Sequence, residues 1–226
     1  MSTEINLNET MVNNGFVLRN MPAKSPVCKT VVITGLPRSG TSMIAQSVKH
    51  LGVAIGGPKQ RAHLEDPRFQ SLFEKNYDEA QAKRVIAIKN KNHEIWGWKR
   101  PMSFRYADKF AHLIRNPFYI IVFRDILATS IRKNLSGLTE LDEAMIRVMK
   151  TNMELLKFAL SLKEPVMLVS YEKAIVKPDV IVRGLDSFLN LNSPEELLME
   201  AKKSINLDSG EYLKHTNHNK PRSSEV

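Results

Sequence analysis

The sequence predicts an α/β fold: a single domain built on a parallel β-sheet with helices on both faces. Three observations carry the prediction. A β-branched run, Val31-Val32-Ile33, enters a loop bounded by Gly35 and Gly40 and leaves it as a helical stretch from Thr41. The run 118–123 is apolar without interruption, as a strand covered on both sides requires. Strand-like and helical stretches then alternate along the chain, which pairs the strands in parallel through crossovers.

Taken in order, residues 1–28 read as an N-terminal arm, 29–206 as the folded domain and 207–226 as a polar, basic tail. The first strand covers 29–35 and its helix 41–51. A Gly/Pro loop follows (Gly52, Gly56, Gly57, Pro58). Asp66-Pro67 has the form of an N-cap followed by proline in the first helical position. Phe69, Leu72, Phe73, Tyr77 and Ala80 recur behind it at helical spacing. A second strand over 94–99 ends at Pro101, and a helix over 103–114 leads to Pro117 and the strand 118–123. A helix over 127–135 stops at Ser136-Gly137. Thr139 and Asp142 form a capping-box pattern that opens a long amphipathic helix reaching about residue 162. The fourth strand is 166–170, with helices from 178 to 189 and from Ser193-Pro194 onward.

Composition narrows the function classes. The length allows one ordinary core, and 42% hydrophobic with 25% charged residues is globular composition. One cysteine, Cys28, excludes an internal disulfide framework and suits a reducing compartment. No apolar stretch approaches 18 residues, so no membrane span is expected. The Asn-rich start lacks a signal-peptide core, and the expectation is a cytoplasmic protein. The net charge of +9 suits an anionic ligand. Nucleic acid is not expected, because no run of five Lys/Arg occurs and aromatics do not interleave with basic residues. Cys28, His50, His93 and His112 show no metal-ligand spacing, so no metal is expected.

The loop Gly35-Leu36-Pro37-Arg38-Ser39-Gly40-Thr41-Ser42 is a phosphate cradle at a helix N-terminus. It nearly fits G-x-x-x-x-G-K-[ST], but Thr41 stands where that pattern has lysine, and the cation is Arg38, inside the loop. In parallel sheets ligands sit at the carboxyl ends of the strands. Past the other strands stand Lys99-Arg100, Arg124-Asp125 and Tyr171-Glu172. Cations at three of four ends favour an anionic ligand.

Pro37-Arg38-Ser39-Gly40-Thr41-Ser42 resembles the 5′-phosphosulfate loop of sulfotransferases that use 3′-phosphoadenosine 5′-phosphosulfate (PAPS). The resemblance extends over roughly 29–190 and implies a P-loop-like sulfotransferase architecture. By it, Pro37, Arg38, Ser39, Gly40, Thr41 and Ser42 bind the 5′ end of the donor and Arg124 contacts its 3′-phosphate. The family's serine eight residues after that arginine is Arg132 here, while Ser130 comes early, so the second 3′-phosphate ligand is Ser130 or Arg132. Lys99, in Trp96-Gly97-Trp98-Lys99-Arg100-Pro101, is similar to a family lysine aimed at the sulfuryl group. Ala62-His63-Leu64-Glu65-Asp66 resembles the stretch carrying the catalytic Glu, with His63 as competitor. Tyr171-Glu172 is similar to a structural feature of the family. The late Lys-Lys-Gly-x-x-Gly motif of its cytosolic branch is absent.

The resemblance implies sulfuryl transfer from PAPS to a hydroxyl of a small-molecule or saccharide acceptor, leaving adenosine 3′,5′-bisphosphate and needing no metal. Arg38 and Lys99 would stabilise the leaving oxygen and Glu65 would take the acceptor proton. The rival classes are a P-loop kinase or NTPase with a non-standard loop, and a non-catalytic basic module binding nucleotide or nucleic acid.

Overall fold

A computed structural model describes residues 13–57, 64–75, 77–134 and 140–205, without the side chains of 132–134. The elements in chain order are β1 (Phe16–Arg19), β2 (Lys29–Gly35), α1 (Thr41–His50), β3 (Ala54–Ile55) and α2 (Pro67–Gln70), which a π turn, Ser71–Lys75, continues. Then come α3 (Glu79–Asn92), β4 (Ile95–Lys99), a 3₁₀ segment (Ser103–Lys109), β5 (Pro117–Phe123) and α4 (Ile126–Asn134). The chain closes with α5 (Leu141–Ser161), β6 (Val166–Ser170), α6 (Tyr171–Val176), α7 (Pro178–Leu189) and α8 (Glu195–Ile205).

The sheet runs β1-β6-β5-β2-β4-β3. Every pairing is parallel except β1 against β6, which is antiparallel. Alternation along each inner strand splits the core into two layers. Val31 and Ile33 of β2, with Phe118, Ile120 and Val122 of β5, pack on α1, α7 and α8. Val32, Tyr119 and Ile121 face the other way, onto Phe69, Phe73, Trp96, Trp98 and the inner face of α5. This is the expected single α/β domain with helices on both faces. From β2 the chain winds out to β3 and back to β4, then crosses to β5, so the strand order reverses at β2 and its carboxyl end is where a ligand belongs.

Five places differ from the expectation, one of them α6 (Tyr171–Val176), a short helix not expected between 170 and 178. The arm supplies an edge strand: Phe16–Arg19 pairs with β6, and the Phe16 ring packs against Gly184 of α7. Antiparallel addition needs no crossover, so it left no alternating β/α signal to read. Ala54–Ile55, read as loop, extends the opposite edge. The helix behind Asp66 is not continuous, because the Asp78 side chain accepts the Gln81 N–H at 2.9 Å and caps α3 as a separate helix. The stretch 103–114 holds only a 3₁₀ segment and turns. The Thr139 cap and the 207–226 tail lie outside the described residues.

The docking of β1 has a test of sign. A Cβ on Gly184 would lie 2.6 Å from the Phe16 ring. Gly→Ala in an uncrowded helix interior stabilises by about 0.5–1 kcal/mol. Against a docked ring it overpacks instead, costing about 1–3 kcal/mol. Gly184→Ala should therefore lower the thermal midpoint; a rise would mean that β1 is not seated there.

Candidate active site

The loop between β2 and α1 is held in an unusual backbone shape. Gly40, the residue before α1, has φ +94, and a Cβ there would lie 2.2 Å from the Tyr171 ring, so only glycine fits. Arg38 also adopts a positive φ, of 73°. Seven described non-glycine residues have positive φ; four are asparagine, which tolerates it, and the others are Arg38, Leu64 and Met102. Those three adjoin the loop, Glu65 and the end of β4. Strained backbone of this kind, about 1–3 kcal/mol per residue, concentrates at functional sites.

Helix α1 opens toward the loop with no side-chain cap and no acidic residue in its first turn. Its leading N–H groups and the positive end of its dipole thus face the loop with no capping side chain, as an anion site requires. Ser39 is 2% exposed and its hydroxyl has no hydrogen-bond partner among the described residues, while Thr41 is buried and Ser42 half-buried in the first turn. A buried hydroxyl without a partner costs about 1–3 kcal/mol, which a bound oxyanion would offset. These features fit a phosphate or sulfate group. Among the described residues no cluster of three His, Cys, Asp or Glu could hold a metal ion.

From the end of β5, the Arg124 Nη1 donates to the Arg38 carbonyl at 3.0 Å, and its guanidinium lies 4.1 Å from the Tyr171 ring centroid. Tyr171, assigned no chemistry from sequence, therefore sits between Gly40 and Arg124 and props the loop from behind. Asp125 accepts the Ala128 N–H at 2.8 Å and opens α4. Ser130 is fully buried and donates its hydroxyl to the Ile126 carbonyl at 2.7 Å. Arg132 lies in α4, its side chain outside the described residues, and His63 lies outside them altogether.

Beside the loop, β4 ends in an ion-pair chain. Its backbone is laced to β2, with Arg100 N donating to the Ile33 carbonyl and Met102 N to the Gly35 carbonyl. Lys99 is 1% exposed, and its Nζ meets Glu65 Oε1 at 2.7 Å. Arg100 Nη1 takes the other oxygen, Glu65 Oε2. The same guanidinium makes two further bonds, each 2.6 Å, to Glu74, whose Oε1 also accepts from the Tyr106 hydroxyl at 2.6 Å. Glu74 stands in the π turn after α2, and such turns re-aim side chains at functional sites. The sequence marks Arg100 as a strand-end cation and gives no signal for Glu74 or Tyr106, because this ion-pair chain forms only when the turn at 71–75 folds against β4.

Burial pushes the Lys99 ammonium below the usual lysine value, with Glu65 partly opposing. Burial would raise the Glu65 carboxyl, but Lys99 and Arg100 together hold it below the ordinary range. Glu74 behaves alike, burial being outweighed by Arg100 and Tyr106. Both carboxylates are therefore ionised at neutral pH.

No family model matches the chain, and no curated protein sequence does. Among solved structures it is similar to the sulfotransferase domain of the Synechococcus PCC 7002 olefin synthase, with a TM-score of 0.55 and 16% identity over 88% of this chain and 87% of that one. It is also matched to the sulfotransferase STF1 of Mycobacterium tuberculosis H37Rv (TM-score 0.48, 12% identity, 79% and 71% covered). A third match is retinol dehydratase in complex with retinol and PAP (0.42, 11%, 88% and 69%). The first of these likenesses establishes architecture: the chain has the sulfotransferase fold.

The ion-pair chain predicts a pH-dependent stability difference. Carboxyls with lowered folded values add stability that is complete above the ordinary value of 4.5 and is lost as the pH falls below it. Arg100→Gln should cost about 1.5–3 kcal/mol at pH 7, since hydrogen bonds to charged groups are lost. In urea unfolding the gap to the parent should shrink below pH 4.5. An equal gap at pH 7 and in acid would show that Arg100 acts by packing rather than charge.

Proposed function

We propose that this protein transfers a sulfuryl group from PAPS to a hydroxyl of a saccharide or small-molecule acceptor. The observation that carries the reading is the meeting, at the ends of adjacent strands β2 and β4, of an uncapped helix N-terminus and the ion pair of buried Lys99 with half-buried Glu65. The sulfotransferase fold supports it.

The donor, when bound, supplies an activated sulfuryl group and a nucleotide leaving group. Residues Pro37 to Ser42 would hold its 5′-phosphate through the loop and first-turn N–H groups, and Arg124 its 3′-phosphate. The Ser130 hydroxyl already donates within its own helix, which favours Arg132 as the second 3′ ligand. Arg38 and Lys99 supply positive charge where the leaving oxygen becomes negative, the dominant need of a loose, in-line displacement. Glu65 is ionised and able to accept a proton at Oε1. Lys99 weakens it as a base while it rests on that oxygen, and drawing Lys99 away raises its basicity. Arg100 keeps hold of Oε2 throughout, so the carboxylate stays in place as its partner changes.

Binding of adenosine 3′,5′-bisphosphate without magnesium, measured by calorimetry, tests the donor site. Magnesium-dependent binding of ATP would favour the kinase reading, and salt-sensitive binding to nucleic acid alone the basic module. Arg124→Ala should weaken bisphosphate binding about 10- to 100-fold, from a charge-assisted bond worth roughly 1.5–3 kcal/mol, and leave adenosine 5′-phosphate binding much less affected. Ser130→Ala should change neither, while Arg132→Ala should follow Arg124→Ala. Equal losses for both ligands would mean that Arg124 does not read the 3′ end.

For the chemistry, labelled PAPS and an acceptor panel give turnover. Glu65→Gln keeps shape and most hydrogen bonding, so bisphosphate affinity should hold while turnover falls about 10²–10⁴-fold, the usual worth of a general base. His63→Ala should cost much less; the reverse ranking would move the role to His63.

A further inference from the structure

We propose that the outer stripe of α5 pairs with the same stripe of a second copy of this chain, helix against antiparallel helix. The inner face of α5 is accounted for: Ala144, Val148, Leu155 and Ala159 are buried in the core. A second apolar row has no such cover among the described residues. Ile146, Met149, Met153, Leu156 and Leu160 are 37% to 55% exposed, and their spacing is three, four, three, four. That is the seam of a two-stranded coiled coil, alternating a and d positions over about 21 Å of helix at 1.5 Å per residue. A helix lying on a lipid surface shows a broader apolar face, whereas a strict a/d row is narrow and calls for one partner helix.

Area and charge both point to a second copy. Half-exposed aliphatic side chains of this number present roughly 400 Å² of apolar surface, inside the 300–600 Å² range of functional patches. Two copies with their flanking side-chain stems would bury on the order of 1,000 Å², the lower end for a specific interface. Place the two-fold axis at Thr151, and Ile146 faces Leu156 of the second copy while Met149 faces its Met153. Both of these layers set an a position against a d position, as antiparallel packing requires, while Leu160 at the end of the row faces Asp142 of the second copy. The same register brings Glu143 toward Lys157 of the second copy, twice by symmetry. Lys150 meets its own equivalent near the axis; this and the Leu160–Asp142 layer, which occurs twice, are the unfavourable pairings in this register. A parallel arrangement places no acidic residue of the stripe's flank opposite Lys157.

Sedimentation velocity across low to high micromolar concentration gives the test. A monomer–dimer equilibrium in the micromolar range is expected, and Met149→Glu with Met153→Glu should leave a monomer throughout. Both positions are exposed, so the thermal midpoint and bisphosphate affinity should be retained. Glu143→Lys alone and Lys157→Glu alone should each weaken dimerisation several-fold, and the two together should restore it. A monomer at all concentrations overturns the proposal, as does a dimer that survives the Met149/Met153 change. Failure of the combined swap to restore pairing overturns the antiparallel register.

Discussion

A lysine ammonium almost wholly shielded from water at the end of β4 is the constraint around which this site is arranged. Lys99 is 1% exposed, and burial would drive an ammonium so placed to give up its proton unless it were paired. Glu65 is the answer, and its placement dictates much of its surroundings. Leu64 accepts a positive φ of 55° immediately before it. Asp66, immediately after it, is buried, caps α2 and is met by Arg68 at 2.6 Å, so the segment is fixed on both sides. A carboxylate shared by Lys99 and Arg100 would be drawn toward either cation. Glu74 resolves this by holding Arg100 through two bonds of its own. Removing Glu65 leaves the buried Lys99 charge without its partner, the costly case for a buried ion pair.

The phosphate loop depends on a different kind of support, steric rather than ionic. Its first glycine leaves no room for a side chain: a Cβ on Gly35 would lie 2.7 Å from both the Ser39 hydroxyl and the Val122 carbonyl. Its last, Gly40, makes space for the Tyr171 ring. Tyr171 also stacks on Arg124, and Arg124 reaches the loop carbonyl at Arg38. β2, β5 and the start of α6 thus meet at one point, so a substitution at Tyr171 reaches loop and cation together without touching a ligand.

Much of this was legible because it is local. The strand–loop–helix run at 29–51 states its own geometry, with β-branched residues, two glycines and a helical stretch in sequence order. The continuous apolar run of β5 declared a strand buried on both faces. The Asp66-Pro67 cap is confirmed by the Arg68 N–H on Asp66 at 3.1 Å. What escaped was set by tertiary contact. β1 is a four-residue strand whose exposed Val17 and Leu18 show no clean alternation, and its place comes from pairing with β6, some 150 residues away. The π turn carrying Glu74 reads as ordinary helix, since one inserted residue changes no composition. Tyr171 looked structural, and it is, but its importance lies in what it supports.

The position of the loop cation follows from the same physics. Where lysine opens the helix, as in nucleotide triphosphate loops, one residue can serve both cradle and charge. Here Thr41 opens α1, so the terminus contributes only amides and dipole, and the full charges come from elsewhere. Arg38 is in the loop, Lys99 ends β4 and Arg124 follows β5, with Lys99 held by Glu65 and Arg124 by the Arg38 carbonyl. Charge dispersed over three strand ends suits a ligand whose anionic groups are separated better than one compact polyphosphate. It also leaves Lys99 bound to a carboxylate, free to exchange that partner for another anion, while Arg124 stays tied to the loop backbone. The two cations are thereby held differently, Lys99 by a side-chain carboxylate and Arg124 by a backbone carbonyl.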